Sequence, residues 1–134
     1  MHYALSDDPG RFWQADSLQI GLDPLNDAGV APGYLADDSE LGLVLGPNGA
    51  RVVQTVPQRR RVDVPVAIER QGTDTIYRVA LPWTIIGYKP ATGEILGLSF
   101  IINQNNGQGR GYWMGLTPGI GEAKRPLAFR DSLS

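Results

Sequence analysis

The sequence predicts an all-β fold, a sandwich of antiparallel sheets in one domain over residues 1–134. Apolar and polar residues alternate in short runs along the chain, and this period of two is typical of half-buried strands. The chain has 17 Gly and 10 Pro, about a fifth of its residues against about an eighth in average usage. Many short strands joined by frequent turns are typical of antiparallel sandwiches.

The alternating runs give the predicted strands in order. They are 16–22, 39–45, 51–56, 61–69, 75–81, 95–103 and 111–115. Pro65 lies inside one run and removes a ladder donor, which favours an edge strand or a bulge there. A short helix is predicted over 82–87, since Pro82 stands near its start and Gly87 at its stop. Trp83 in that helix is expected to pack in the core.

Charge and residue types exclude several classes of function. The chain has 12 Lys+Arg against 14 Asp+Glu, so it lacks the basic footprint of a nucleic-acid binder. It has one histidine, His2, and no cysteine. The residues required for Cys/His zinc sites and thiol nucleophiles are therefore missing, and a Ser-His-Asp triad would have to use His2 near the chain end. No apolar run is long enough to span a membrane. The stretch 1–12 has neither the basic nor the apolar region of a secretory signal.

The stretch 101–114 has the composition of a sugar-binding loop. It gathers amides, glycines, one arginine and two aromatic rings directly after an apolar strand. Amides offer paired donors and acceptors to hydroxyls, and Tyr112 and Trp113 offer flat apolar faces to a sugar ring. The same residues also suit a polar hairpin loop in which Asn and Gly serve turn geometry alone. Composition leaves both interpretations open.

A second tryptophan, Trp13, precedes the 16–22 strand among polar residues. The loops of a sandwich gather at its ends, so Trp13 and Trp113 are predicted to face each other across a cleft and to hold one sugar ring between them. A tryptophan taken alone is more often a packing residue than a ligand platform.

Six blocks of sequence resemble the family 9 carbohydrate-binding modules, part of a wider DOMON-like sandwich superfamily. The blocks are 13–24, 37–43, 79–83, 93–100, 102–113 and 119–129, and they follow one another over nearly the whole chain. The resemblance implies a jelly-roll-like sandwich that binds the ends of glucan or xylan chains between two tryptophans. It also implies an extracellular location, attachment to a glycoside hydrolase and structural calcium.

By position, the resemblance assigns roles to single residues. Trp13 and Trp113 correspond to the stacking pair, and Asn103, Asn105 and Arg110 lie near the sugar hydroxyls. Arg51, in the strand after the 46–49 turn, is a further candidate for binding hydroxyls.

The sequence departs from the family pattern in its loop and at its start. Gln104 and Asn106 stand where the family usually has carboxylates, and this weakens a calcium site at that loop. Other candidate calcium ligands, which equally suit turns, are Asp16, Asp23, Asp27, Asp37 and Asp38. The family domain normally begins earlier, so the sandwich is expected to be truncated at the N-terminus. We therefore expect exposed apolar surface, with either a homodimer through an exposed sheet edge or altered strand pairing.

The carboxylates do not suggest catalysis. Glycoside hydrolysis needs two of them about 5–10 Å apart, and the four glutamates are scattered without mutual pattern: Glu40, Glu69, Glu94 and Glu122. Haem binding would need axial ligands such as His2 and Met114, and His2 lies near the chain end. The sequence therefore predicts a non-catalytic domain that binds an oligo- or polysaccharide. The alternative is an interaction or assembly sandwich that has lost the sugar.

Overall fold

A computed structural model describes residues 16–28, 33–46, 49–105, 110–116, 120, 124, 126 and 129–133, the backbone alone at 105, 110–113 and 130–133. The elements are β1 (Ser17–Asp23), β2 (Ser39–Gly46), β3 (Gly49–Val56), β4 (Arg60–Val62), β5 (Val66–Gln71), β6 (Asp74–Val79), α1 (Trp83–Ile86), β7 (Ile95–Asn105), β8 (Arg110–Gly115) and β9 (Arg130–Leu133).

Two antiparallel sheets form the fold. The large sheet has seven strands in the order β4-β3-β2-β1-β7-β8, with β9 also paired to β7. The small sheet is the β5–β6 hairpin. The predicted all-β antiparallel sandwich is therefore confirmed. In the described parts of the chain, no helix has the length and apolar character needed to cross a membrane.

The main core lies between the two sheets. Leu41, Leu43 and Val52 of the large sheet are buried there. Ile68, Val79 and other residues of the hairpin pack against them, as does Trp83 of α1, which confirms its predicted packing role. The alternation in β2 and β3 places these branched side chains on one face, which is why the hairpin settles on that face.

The opposite face of the large sheet is covered as well. Ile101, Ile120 and Phe129 form a second buried cluster, with Tyr34 packed against it. Gly21 makes this approach possible, since a Cβ there would lie 2.6 Å from the Phe129 ring. Strand β2 is consequently buried along both faces, unlike a strand that has one face in water.

A buried glutamine joins α1 to the large sheet. Gln54 Nε2 donates to Ser39 Oγ (3.0 Å) and to the Ile85 carbonyl (3.1 Å), while Arg60 Nε donates to Gln54 Oε1 (2.7 Å). Each polar atom of this buried amide is thus hydrogen-bonded, as burial of an amide requires.

The structure corrects one predicted strand and adds another. The run 61–69 is two strands in different sheets, β4 and β5, because the chain leaves the large sheet just before Pro65, which cannot donate to a ladder. Strand β9 was not predicted, since Arg130–Leu133 is too short to show alternation. The helix predicted over 82–87 is confirmed as α1, which ends at Gly87 with φ 89°.

Truncation of Leu43 tests the core between the sheets. Leu43 is 0% exposed, so Leu43→Ala should lower the free energy of unfolding by about 2–5 kcal/mol in urea denaturation. Leu35→Ala is the matched control, because Leu35 is 45% exposed and its loss should cost within about 0.5 kcal/mol. Equal effects of the two variants would contradict the described core.

Candidate functional site

The strand register aligns three predicted sugar-binding positions in one row across the large sheet. Asn103 pairs directly with Trp113 on one side and with Ser17 on the other. Ser17 in turn pairs with Val44, and Val44 pairs with Arg51. Positions directly opposite one another in antiparallel strands project from the same face. Positions 51, 103 and 113 therefore share one row although they are far apart in sequence.

The remaining predicted sugar-binding residues belong to the β7–β8 hairpin or lie outside the described residues. Asn105 pairs with Arg110, and the register shifts between Gln104 and Asn105. Tyr112 pairs with Gln104. The side chains of residues 105, 110, 112 and 113 lie outside the description, as does Trp13 altogether. The face-to-face arrangement of the two tryptophans stays a prediction.

The side chain of Asn103 is buried and its amide is held by two neighbours. Its Nδ2 donates to Ser17 Oγ (3.1 Å) and to Gln19 Oε1 (2.8 Å), and the residue is 1% exposed. Gln19 Nε2 donates in turn to Glu40 Oε1 (2.8 Å). Because a carboxylate only accepts hydrogen bonds, Glu40 fixes the orientation of Gln19, and Gln19 fixes that of Asn103.

Glu40 is the buried charge at the end of this network. Tyr34 Oη donates to its Oε2 (2.5 Å), and Lys124 Nζ lies 3.0 Å from the same oxygen. Lys124 also donates to the Ile120 carbonyl (2.9 Å). Burial and the neighbouring Glu40 charge raise the pKa of Tyr34 far above 10, so the phenol remains a donor. The ammonium compensates the carboxylate, as a buried charge requires.

Arg51 lies against the end of β2. The residue is partly buried on β3, and a Cβ on Gly46 would lie 2.9 Å from its Nη1. Because Gly46 has no side chain, the Arg51 guanidinium can lie against the end of β2.

An acidic cluster lies at the other end of β1. It comprises Asp23, Asp27, Asp37 and Asp38, and each offers a carboxylate oxygen within 4.8 Å of the others. The loop after β1 turns back sharply at Asn26 (φ 51°). Backbone amides of residues 27 and 28 donate to Asp23 (3.3 and 3.2 Å), and Leu25 N donates to Asp37 (3.1 Å).

Asp38 is the least satisfied member of the cluster. It is 1% exposed, and Leu35 N donates to its Oδ2 at 2.6 Å. Its Oδ1 is buried without a hydrogen-bond partner. Burial raises the pKa of Asp38 to about 7. The charges of Asp23 and Asp37 also raise this pKa, while the hydrogen bond from Leu35 N lowers it. Burial also raises the pKa of Asp23.

The acidic cluster matches the donor preference of calcium. Hard cations take several carboxylate oxygens, and the buried, unsatisfied Oδ1 of Asp38 is an oxygen that a cation would satisfy. Asp16, also a predicted metal ligand, precedes β1 and lies about 20 Å along the strand from Asp23. Asp16 instead lines a cleft with Arg70 and Tyr77.

The Gln19–Glu40–Lys124 network was not predicted from the sequence. In 16–22 and 39–45 the predicted buried face is the leucine face, whereas the structure buries the polar face as well. One signal was available, since Ser17, Gln19 and Gly21 are small or uncharged residues, and this would suit a second covered face. Lys124 lies in the resembling block 119–129, which implied a structural role for it, but its partner Glu40 could not be predicted because the contact spans 84 residues.

The sequence matches no protein-family model and no curated protein. Its fold does match a solved structure, a family 9 carbohydrate-binding module from Caldicellulosiruptor kristjanssonii in complex with cellotriose. The match has a TM-score of 0.65 at 20% sequence identity and covers 98% of this chain.

The chain has the fold of a family 9 carbohydrate-binding module. The resemblance seen in the sequence is thus confirmed at the level of the fold. The chain spans 62% of the length of the solved family 9 module.

The raised pKa of Asp38 predicts how the stability of this family 9 fold depends on pH in a chelator. Because the pKa is higher in the folded state than in the unfolded state, the native protein binds more protons between about pH 4 and about pH 7. The melting temperature should therefore contain a contribution that falls as pH rises through this window.

Asp38→Asn should remove that contribution, because an amide does not titrate. The exposed Asp63→Asn is the control and should keep the slope of the parent protein. Melting curves recorded by circular dichroism in a chelator measure both. A slope unchanged in Asp38→Asn would contradict the assignment to Asp38.

Proposed function

We propose that the chain is a non-catalytic carbohydrate-binding domain that takes the ends of glucan or xylan chains. The observation that carries the proposal is the fold match over 98% of the chain to a family 9 module whose structure holds cellotriose. The sequence resemblance, which covers the same family, supports it independently of the coordinates.

The row across the large sheet supports the location of the binding site. Arg51, Asn103 and Trp113 occupy register positions on one face, and they supply a guanidinium, an amide and an indole. The charged and amide groups bind hydroxyls through paired hydrogen bonds. We propose that the Trp113 indole stacks on the apolar face of the sugar ring, with Trp13 as the second stacking residue that the sequence resemblance implies.

Two of the described glutamates, Glu40 and Glu69, are engaged by cations, and this supports binding without catalysis. Glu40 is engaged by Lys124 and Tyr34. Glu69 pairs with Arg78 at 3.1 Å on an exposed surface. Neither of these carboxylates is available as one of the two flanking groups that glycoside hydrolysis requires.

One observation favours the second candidate, an assembly domain that has lost the sugar. Asn103 is 1% exposed and donates from its Nδ2 to Ser17 and Gln19, within the protein. A buried amide that is hydrogen-bonded within the protein stabilises the packing of β1 against β7, and this role requires no ligand. Direct binding measurements separate the two functions.

Trp113→Ala should weaken binding of cellotriose strongly, because it removes the proposed stacking face. We expect a loss of at least about tenfold in affinity, equivalent to about 1.4 kcal/mol, by isothermal titration or retardation in affinity gels. Tyr88→Ala, which removes an aromatic ring that is 36% exposed elsewhere on the surface, should bind like the parent. If the parent protein is retained by neither glucan nor xylan, the assembly function is favoured instead.

We propose further that Ca²⁺ is held by Asp23, Asp27, Asp37 and Asp38. When bound, the ion supplies positive charge among four carboxylates that otherwise repel one another. The four residues tie the loop after β1 to the segment before β2. A bound ion would thus stabilise the β1–β2 connection at the end of β1 opposite the row that contains Ser17. Its proposed role is therefore structural.

Calcium should therefore raise the melting temperature, and a chelator should reverse the rise. At a free concentration of about 100 times Kd the gain is about 2.7 kcal/mol, which corresponds to about 10 °C for a domain of this size.

Asp38→Asn should remove the calcium response, whereas Asp16→Asn, at the other end of β1, should keep it. Differential scanning calorimetry with calcium and with EDTA measures both variants. Equal melting temperatures of the parent protein in calcium and EDTA would contradict a structural ion.

A further inference from the structure

A series of hydrogen bonds connects a buried carboxylate to the row across the large sheet. Gln19 Nε2 donates to Glu40 Oε1 (2.8 Å), and Asn103 Nδ2 donates to Gln19 Oε1 (2.8 Å). We name the series Glu40–Gln19–Asn103 the amide relay. It ends in the row, because Asn103 pairs directly with Trp113.

The two amides of the relay do not determine their own direction. A carboxamide has nearly the same shape whichever way its oxygen and NH₂ group point, so its hydrogen bonds decide the orientation. If Gln19 and Asn103 turned over together, the bond between them would simply run the other way. Ser17, whose Oγ accepts from Asn103 Nδ2 (3.1 Å), would not oppose this reversal, because a hydroxyl both donates and accepts.

Glu40 decides between the two directions. An ionised carboxylate only accepts hydrogen bonds, so Gln19 has to turn its NH₂ group toward Glu40 and its oxygen toward Asn103. Lys124 Nζ lies 3.1 Å from Glu40 Oε1 and 3.0 Å from Oε2. Tyr34 Oη also donates to Oε2. These two donors hold the carboxylate in place, and the ammonium compensates its charge.

Burial makes the opposite direction costly. Gln19 is 4% exposed and Glu40 is 3% exposed, so solvent cannot replace a hydrogen bond that is lost between them. A reversed relay would set the Gln19 oxygen against the carboxylate, with no hydrogen between the two acceptors. An unsatisfied buried charged group costs more than an unsatisfied neutral group. The relay therefore has one direction.

We infer that Glu40 is a positioning residue for the row, and that the ligand group opposite Asn103 is a hydroxyl that donates. This inference rests on the proposed function. Both hydrogens of Asn103 Nδ2 are directed to side chains of β1, Ser17 and Gln19, so the amide has only its oxygen to offer a ligand. That oxygen accepts. A free sugar hydroxyl can donate to it, whereas an ether or ester oxygen in the same place cannot.

The direction of the relay complements the other polar member of the row. Arg51 shares the row with Asn103 through Val44 and Ser17, and a guanidinium only donates. With Asn103 as an acceptor, the row offers both kinds of group, and sugar hydroxyls both donate and accept. With the relay reversed, both side chains would donate. Glu40 thus sets which ligands the row accepts, while lying one residue farther along the relay than Gln19.

Glu40→Gln tests the inference, because it replaces a group that only accepts by an amide. The new NH₂ group has to face one of the donors that now converge on Glu40, so Gln19 loses the partner that fixes it. We expect the side-chain amide signals of Gln19 and Asn103 to shift or to double in NMR spectra of the ¹⁵N-labelled chain. The affinity for cellotriose should fall by about three- to tenfold in isothermal titration, the value of one or two hydrogen bonds.

The double variant Glu40→Gln with Gln19→Glu is the matched rescue. It moves the carboxylate one step along the relay, where it accepts from Asn103 Nδ2 and from the new amide at position 40. The oxygen of that amide accepts from Tyr34 and Lys124. The double variant lacks the ion pair between Lys124 and position 40 just as the single variant does, so a merely structural role of Glu40 would not be rescued. We expect the Asn103 signals and the affinity for cellotriose to return toward those of the parent.

Glu69→Gln is the control, since it makes the same replacement on the exposed surface of β5 and should bind like the parent. Denaturation midpoints measured alongside show that each variant is folded. Fully O-methylated cellotriose, which has no hydroxyl hydrogen, tests the parent protein without any substitution and should not bind.

Equal affinities of Glu40→Gln and the parent protein for cellotriose would overturn the inference. So would a double variant that binds no better than Glu40→Gln, or O-methylated cellotriose that binds as well as cellotriose. A parent protein that binds no cellotriose would instead overturn the proposed function, and the inference with it.

Discussion

The pairing of β1 with both β2 and β7 is the constraint on which the rest of the structure depends. This strand lies in the middle of the large sheet. Its register joins it to β2 across 17 to 27 residues of sequence and to β7 across 74 to 86 residues. At its first residue, Ser17, the register brings Asn103 and Val44 into one row. At its last residue, Asp23, it brings the following loop beside the segment that precedes β2. A slip by one residue would reverse every side chain of β1 and separate both sites.

The polar face of β1 explains why that register is unique. Gln19 is buried between Asn103 and Glu40, and each amide must find a donor or acceptor of the right kind. A shift of register would place Leu18 or Ile20 against the Glu40 carboxylate, and would leave that charge without Gln19. Buried polar groups that are fully hydrogen-bonded often specify one arrangement more sharply than apolar packing does. Lys124 and Tyr34 complete this arrangement from outside the sheet.

The sequence was sufficient to predict most strands and the type of fold, because alternation is a local property that each run carries by itself. It was also sufficient to name the aspartates of the acidic cluster, since Asp37 and Asp38 mark turns. It could not show that Asp16 lies apart from them, because that separation follows from the length of β1. Nor could it predict that β4 and β5 lie in different sheets, or that Glu40 meets Lys124. Those facts depend on tertiary pairing, which no local pattern records.

We propose that one row across the large sheet forms the ligand-binding face. The most direct measurement is an NMR titration of the isotopically labelled chain with cellotriose, followed through backbone amides. If the row binds the sugar, the shifts should concentrate at Arg51, Asn103, Trp113 and their neighbours in the row, and those of Phe100 and Leu116 on the other face should remain unchanged. Shifts confined to Phe100, Ile102, Met114 and Leu116, or no shifts at any cellotriose concentration, would contradict the proposal.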